Sequence, residues 1–468
     1  MNGQTMQTRK VEYAIIGSGT AGLGAYSRIH RHTDNFVMIQ HGPYGTTCAR
    51  VGCMPSKMLI TAADHAHEFT QGSAFGIHGD REVNGKQVFN RIRKDRAEKF
   101  VGNVLKQIDN IPDQFKLRGF AKFLSNHQIQ VDDDLVIEAD KIVIACGTRP
   151  YIPASLSSVK NRIFTSDTIF EIDTLPCSIA IIGLGVIALE LGQSFHRLGV
   201  NTTLYGRSGR VGDLTHPRLQ AETLNCLAQE LDIYPEGEIV KAWEEGDAVI
   251  IAYKLPDGSV ITKTFDAILI AAGRVSNIDR LDVENTDLAL DAKGIPLFDP
   301  QTMQCGSLPI YVAGDATNDL PLWHEAYDEG RIAGNNALSF PAAVTTARKT
   351  PLGIYFTDPQ MAIVGRSFEQ LQGTEIVIGD MPFNSPRHEV WKKTQGRIQV
   401  YLDAHSGEIL GAELLGHKAE HLAHLLALAI THKMTAEQFL QTPVYHPSAE
   451  EVLKRALDHA RFQLKAKP

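Results

Sequence analysis

Cysteine is sparse in this chain, six residues in 468, far too few for a disulfide framework at this length. Paired thiols are therefore expected to be catalytic, and only Cys48 and Cys53 stand close together. A basic excess is also missing. The 46 Lys and Arg against 54 Asp and Glu leave a formal charge of -8, so nucleic acid has no general electrostatic hold and is not expected as a partner. No run approaches the roughly 18 apolar residues of a membrane helix, and the opening MNGQTMQTRKVEYAIIG lacks the apolar core of a signal peptide. The expectation is a cytoplasmic protein with no membrane partner and no metal.

Glycine is plentiful, 39 residues, and its placement is informative. VEYAIIGSGTAGLGAYSRIH reads as a short apolar strand, then Gly17, Gly19 and Gly22 in G-x-G-x-x-G spacing, then a helix. Such glycines make a tight turn, let a pyrophosphate approach the backbone and pack the helix on the strand. The pattern recurs in SIAIIGLGVIALELGQSFHRLGV with Gly183, Gly185 and Ala188. Two such units predict two dinucleotides and electron traffic between them, where a single dehydrogenase needs one. KIVIACGTRP, with Cys146 and Gly147, and FDAILIAAGR, with Gly273 and Arg274, each read as a strand crossing beside a nucleotide or as an ordinary strand end. Asp315, after Gly314 at the end of another strand, can accept hydrogen bonds from sugar or ribityl hydroxyls, or cap a helix. At this length two to four domains are expected, and beyond about residue 345 the pattern turns to strands followed by His-, Leu- and Ala-rich helices, an α+β arrangement.

GTTCARVGCMPSKMLI carries the most specific signal. Residues five apart on a regular helix have Cα atoms about 8.6 Å apart, beyond the roughly 7 Å that a disulfide spans, so the turn holding Cys48 and Cys53 must be distorted. Gly52 is expected to supply unusual backbone angles, and a helix N-terminus would favour a thiolate. Two inert buried cysteines are the other reading of the spacing. Near the far end, TPVYHPSAEEVLKRALDHA sets Pro447 at an expected helix start with His446 outside and Glu451 one turn in. There Glu451 could fix the tautomer of a thiol-activating base, while a surface histidine is the plainer reading.

GTTCARVGCMPSK resembles the G-G-T-C-x-x-x-G-C-x-P-[SK]-K box of the pyridine nucleotide-disulfide oxidoreductases, and the likeness spans nearly the whole chain, including PLGIYFTDPQMAIVG and the C-terminal H-P-[ST]-x-x-E signature. The resemblance implies an α/β fold of two Rossmann-like domains plus a C-terminal α+β dimerisation domain. FAD would take residues 1–150 and 278–345, NAD or NADP 151–277, and the dimer interface 346–468. It implies that Cys53 lies against the flavin and Cys48 exchanges with a dithiol or disulfide substrate. Lys57 would pair with Glu190 near the flavin, and His446 with Glu451 would serve the partner's disulfide across a homodimer. Gly17, Gly19, Gly22, Gln40, Thr47, Lys57, Cys146, Gly147, Gly314 and Asp315 would hold FAD. Gly183, Gly185, Ala188, Arg207, Gly273 and Arg274 would hold NAD(P).

Some positions depart from the family pattern. Gln40 stands where a glutamate usually meets the adenosine ribose, and can still bond hydroxyls. The glutamate of an NAD site falls at Gly206, followed by Arg207 with Arg210 nearby, which favours a 2′-phosphate unless both arginines are simply solvated. No cysteine follows Cys305, against mercuric and large thioredoxin reductases, while Ser27 and Val186 argue against glutathione reductase and the cysteine pair against a soluble transhydrogenase. Pro55-Ser56-Lys57 and Val186 look most like the dihydrolipoamide dehydrogenases, whose partner would be a lipoyl domain of a 2-oxoacid dehydrogenase complex. Val444 and Tyr445, where those enzymes usually show an alanine and a second histidine, leave an NADPH-dependent reductase of another disulfide as the alternative. A non-catalytic flavoprotein scaffold is the remaining one.

Overall fold

The computed structural model describes residues 7–466, which form two compact units. The first gathers the chain up to Pro55, Asn90–Tyr151 and Gly273–Arg348; the second gathers Ser56–Phe89, Ile152–Ala272 and the chain from Lys349 onward. The fold is the expected one of two dinucleotide-type sheets with a C-terminal α+β portion. Among the described residues no helix is long and apolar enough to cross a membrane.

In the first unit, Gln7–Ile16 lies between Phe36–Gln40 and Leu135–Ile144, all parallel, with Tyr13 opposite Phe36 and Lys141. Ile310–Val312 adds in parallel on the far side of Leu135–Ile144. The C-terminal ends of these strands, Tyr13–Ile16, Phe36–Ile39 and Ile142–Ile144, are apolar and buried because both faces are covered there. Val11, Ala14, Ile16, Val37 and Ile39 pack on one side, and Tyr13, Ile15, Phe36 and Met38 on the other. The helices Thr20–Ile29 and Trp323–Ser339 press together on the second side through Gly24, Gly330 and Gly334, where an added methyl would meet the opposite backbone.

The second unit repeats the arrangement. Ser178–Ile182 is flanked in parallel by Asn201–Tyr205 and Ala267–Ile270, with an antiparallel three-stranded meander over 238–265. Its other portion is an antiparallel five-stranded sheet whose inner strands include Arg397–Asp403 and Ile409–Gly416, covered by Ala419–Thr431 and Glu451–Ala466.

The compact units do not follow the expected divisions throughout: 152–272 and the chain from 349 onward share the second unit, and Tyr151 and 346–348 fall in the first. Residues 273–277 group with the first unit, because Arg274–Ser276 pairs with Thr148–Pro150 and Arg149 grips Asp279 with both guanidinium nitrogens at 2.5 and 2.7 Å. Ser56–Phe89, expected with the FAD portion, groups with the second unit. There Arg197 meets Asp64 at 3.2 Å and accepts at its carbonyl from Arg81 at 2.9 Å.

Candidate active site

The two glycine loops match one another closely. Gly17 has φ +109 and Gly183 φ +120, and a side chain at either would run into the carbonyl of Ala145 or Ala271 at the end of the neighbouring strand. Gly19 and Gly185 begin the two loop helices with open space around their Cα atoms. Gly22 sits against the carbonyl of Gly17, and the fully buried Ala188 takes the third position in the second loop. An anionic group can therefore approach free N–H groups at both helix starts.

A cavity of about 120 Å³ beside the first loop is lined by Gly17, Gln40, His41, Phe120 and Cys146 among others. Gln40 ends its strand facing this cavity, but its Oε1 accepts from the N–H and hydroxyl of Ser18 at 2.8 Å each, and its Nε2 donates to the His41 carbonyl. It braces the glycine loop. Asn277 fastens the opposite wall, donating through Nδ2 to the Cys146 carbonyl and through its backbone to that of Gly147. Burial pushes the Cys146 thiol up to about 12, so it lines the site without reacting. Asp315 follows Gly314, and burial raises its carboxyl against the pull of Arg274 and of Thr148, whose hydroxyl lies at 3.4 Å. Open glycine backbone, a cavity at the strand ends and a half-buried carboxylate fit FAD in this unit.

Arg274 and Gly273 group with this first unit. The Arg274 guanidinium donates to the Thr148 hydroxyl at 2.8 Å and carbonyl at 2.9 Å, while the Gly273 carbonyl accepts from Tyr151.

The cysteines fall at a helix break. Thr46 caps the short helix Thr47–Arg50 by accepting from the Ala49 N–H at 3.2 Å, while Thr47, expected among the residues that hold FAD, is exposed. Cys48 lies in that turn, Val51 leaves helical geometry at φ -140 and ψ 2, and Cys53 starts the helix Cys53–Gln71. Gly52, expected to supply unusual backbone angles, does not have a positive φ. Its role is room, since an added Cβ would stand 3.1 Å from the Thr47 carbonyl and 3.3 Å from Cys48 Cα. Both cysteines are half-buried, and Cys53 sits where the helix N-terminus favours a thiolate.

Lys57, one turn along, places its Nζ 2.6 Å from Glu190 Oε2. The second Glu190 oxygen accepts from the Phe356 N–H at 2.9 Å, and the ammonium stands 4.5 Å from the centre of the Phe356 ring. Glu190 is 4% exposed and Lys57 33%. Phe356 was not singled out in the sequence, although it sits inside PLGIYFTDPQMAIVG.

The pairing of His446 with Glu451 is direct: Nδ1 lies 2.6 Å from Oε1, and the Ser448 N–H donates to the other oxygen. The hydrogen bond to His446 holds the Glu451 carboxyl below its ordinary range. His446 remains 69% exposed, so its Nε2 side faces away from the fold. Pro447 does not open the helix; Glu451 does, as the first residue of Glu451–Ala466. At the second nucleotide site Arg207 is exposed beyond Asn201–Tyr205, while Arg210 lies 3.6 Å from Glu369. Gly206 leaves no room for a side chain, being pressed against the Pro235 carbonyl and Leu184.

Comparison with known proteins agrees with this geometry. Residues 11–330 match the pyridine nucleotide-disulphide oxidoreductase domain and residues 352–457 the dimerisation domain of the same family. The chain is 29% identical over 467 residues to a dihydrolipoyl dehydrogenase of Haloferax volcanii, covering 97% of this chain and 96% of that one. It is 28% identical over 466 residues to a mycothione reductase of Mycobacterium tuberculosis, covering 95% and 98%. Among solved structures, the HOCl-induced flavoprotein disulfide reductase RclA of Escherichia coli superposes with a TM-score of 0.78 at 22% identity, over 98% of this chain and all of that one. With both domains matched over most of its length, the chain belongs to the pyridine nucleotide-disulphide oxidoreductase family, FAD- and NAD(P)-dependent oxidoreductases that act on sulfur groups.

Proposed function

We propose that this protein is a dihydrolipoamide dehydrogenase-type enzyme, a homodimer that oxidises a dithiol at the Cys48–Cys53 pair and passes the electrons to a nicotinamide. The observation that carries the reading is His446, fixed in one tautomer by Glu451 at 2.6 Å yet largely exposed, as a base that serves a site outside its own fold must be. In the oxidised enzyme Cys48 and Cys53 share a disulfide. His446 takes a proton from the substrate, and the resulting thiolate attacks Cys48 Sγ. The S–S bond breaks and Cys53 leaves as a thiolate, stabilised at its helix N-terminus. The second substrate thiol then displaces Cys48, closing the substrate disulfide and leaving both cysteines reduced. FAD, when bound, supplies the two-electron carrier between the cysteines and the nicotinamide. Lys57 and Glu190 hold a fixed pair of opposite charges one turn beyond Cys53.

A second reading, an NADPH-dependent reductase of another disulfide, is favoured by the second nucleotide site. Gly206 has no space for the acidic side chain that would repel a 2′-phosphate, and Arg207 is exposed beside it. Steady-state turnover decides between them. Dihydrolipoamide oxidation with NAD⁺ that is abolished by Cys48→Ser supports the first reading. NADPH oxidation that depends on Cys48 and an added disulfide, with no dihydrolipoamide activity, establishes the second.

A further inference from the structure

Two carboxylates lie buried one turn apart on the helix Trp323–Ser339, outside the redox machinery described above. Glu325 is 2% exposed and Glu329 is fully buried. One guanidinium serves both: Arg348 Nη2 stands 2.8 Å from Glu325 Oε2 and 2.6 Å from Glu329 Oε1. The remaining Glu329 oxygen accepts from the Gly314 N–H at 2.7 Å. Gly314 immediately precedes Asp315, has φ +75, and is confined by Ala21, whose Cβ an added methyl would approach to 2.7 Å. This stretch therefore has little freedom beyond what the Glu329 bond allows.

We propose that Glu329 is a positioning residue for the cofactor loop: its ionised carboxylate holds Gly314, and through it Asp315, while Arg348 and Glu325 govern whether that carboxylate is ionised. The inference rests on the reading of the first unit as the FAD site.

The charge count supports it. Two buried carboxylates share one guanidinium away from water, an arrangement that works against ionisation of Glu329. The other groups facing Glu329 sharpen the effect. Asp319, on the loop after Gly314, opposes ionisation, and Glu325 competes for the same guanidinium from the same helix face, with His324 3.7 Å from its second oxygen. The first loop helix, packed on the other side, contributes Ala21 and Ala25 beside Glu329 and carries Arg28 further along, against Gly334. Burial raises the Glu329 carboxyl to about 7. Above that pH the carboxylate grips Gly314; below it the acceptor is neutral and the grip weakens. FAD should accordingly be held less firmly as the pH falls through about 7.

The test follows flavin release from the holoenzyme by fluorescence after dilution, at a series of pH values from 5.5 to 8.5. Wild-type release should accelerate as the pH drops through about 7. E329Q, which keeps shape and loses charge, should release flavin about tenfold faster at pH 8, the loss expected for one charge-assisted bond, and show no inflection. Should E329Q fold poorly, E325Q provides the independent arm: removing the neighbouring like charge should move the wild-type inflection to lower pH. Wild-type-like release in E329Q, or an unmoved inflection in E325Q, overturns the proposal. These outcomes do not involve the cysteines, so failure of the dithiol reading leaves them legible. A purified wild-type protein carrying no flavin overturns both.

Discussion

The Lys57–Glu190 pair makes an asymmetric prediction. Removing one partner of a buried pair costs about 3–5 kcal/mol because the other charge is stranded, but the two partners here are not equally buried. In Lys57→Met the stranded group is Glu190, 4% exposed, which keeps the Phe356 N–H on one oxygen. We expect a loss of about 3 kcal/mol. In Glu190→Gln the amide oxygen keeps the Phe356 bond, and the stranded Lys57, one-third exposed, turns its ammonium towards water. Solvent screening reduces that cost to about 1 kcal/mol, the range of a half-exposed pair. Equilibrium urea unfolding of the flavin-replete proteins, compared by midpoint at unchanged slope, measures both. A loss in Glu190→Gln equal to or larger than that in Lys57→Met would refute the argument from burial.

Three further outcomes follow from the same geometry. His446→Gln should lower dithiol turnover by about 10²–10⁴-fold, the scale of general base catalysis, with Glu451→Gln falling less because the ring keeps an acceptor; steady-state rates check both. Arg207→Gln should weaken NADPH binding by about tenfold and leave NADH unchanged, as expected for one charge-assisted contact to a 2′-phosphate, while Gly206→Glu should unfold or aggregate because its side chain has no space; nucleotide titration and thermal melting read these. Burial pushes the thiols of Cys146 and Cys305 up to about 12 and that of Cys226 to about 11. At pH 8 roughly one in ten thousand of the first two is a thiolate, so mass spectrometry after iodoacetamide treatment of the reduced protein should find them unmodified while Cys48, the thiol that meets substrate, is labelled.

Most of the nucleotide architecture was legible because it depends on local rules. Gly17 and Gly183 must lack side chains where a strand crosses them, and that requirement leaves a fixed spacing in the sequence. The cysteine turn was legible for the same reason, although the role of Gly52 is steric and not conformational. What was illegible depends on partners distant in sequence. Phe356 meets Glu190 across 166 residues, and Arg348 reaches back to Glu325 and Glu329 across 23 and 19 residues. The grouping of Gly273 and Arg274 with the first unit had no local mark either, since it follows from strand pairing with Thr148–Pro150. His446 sits the other way round: its pairing with Glu451 is local, but only the family signature raised it above a surface histidine.

The central claim is that electrons enter or leave through the Cys48–Cys53 pair, and anaerobic stopped-flow absorbance of the purified holoenzyme tests it most directly. Mixing with dihydrolipoamide should reduce the protein rapidly and produce a long-wavelength band from a thiolate beside the flavin, and Cys48→Ser should no longer be reduced by the dithiol. Equal reduction of Cys48→Ser and wild type by every dithiol or nicotinamide offered, with turnover retained, would show that the cysteines carry no electrons and contradict the account.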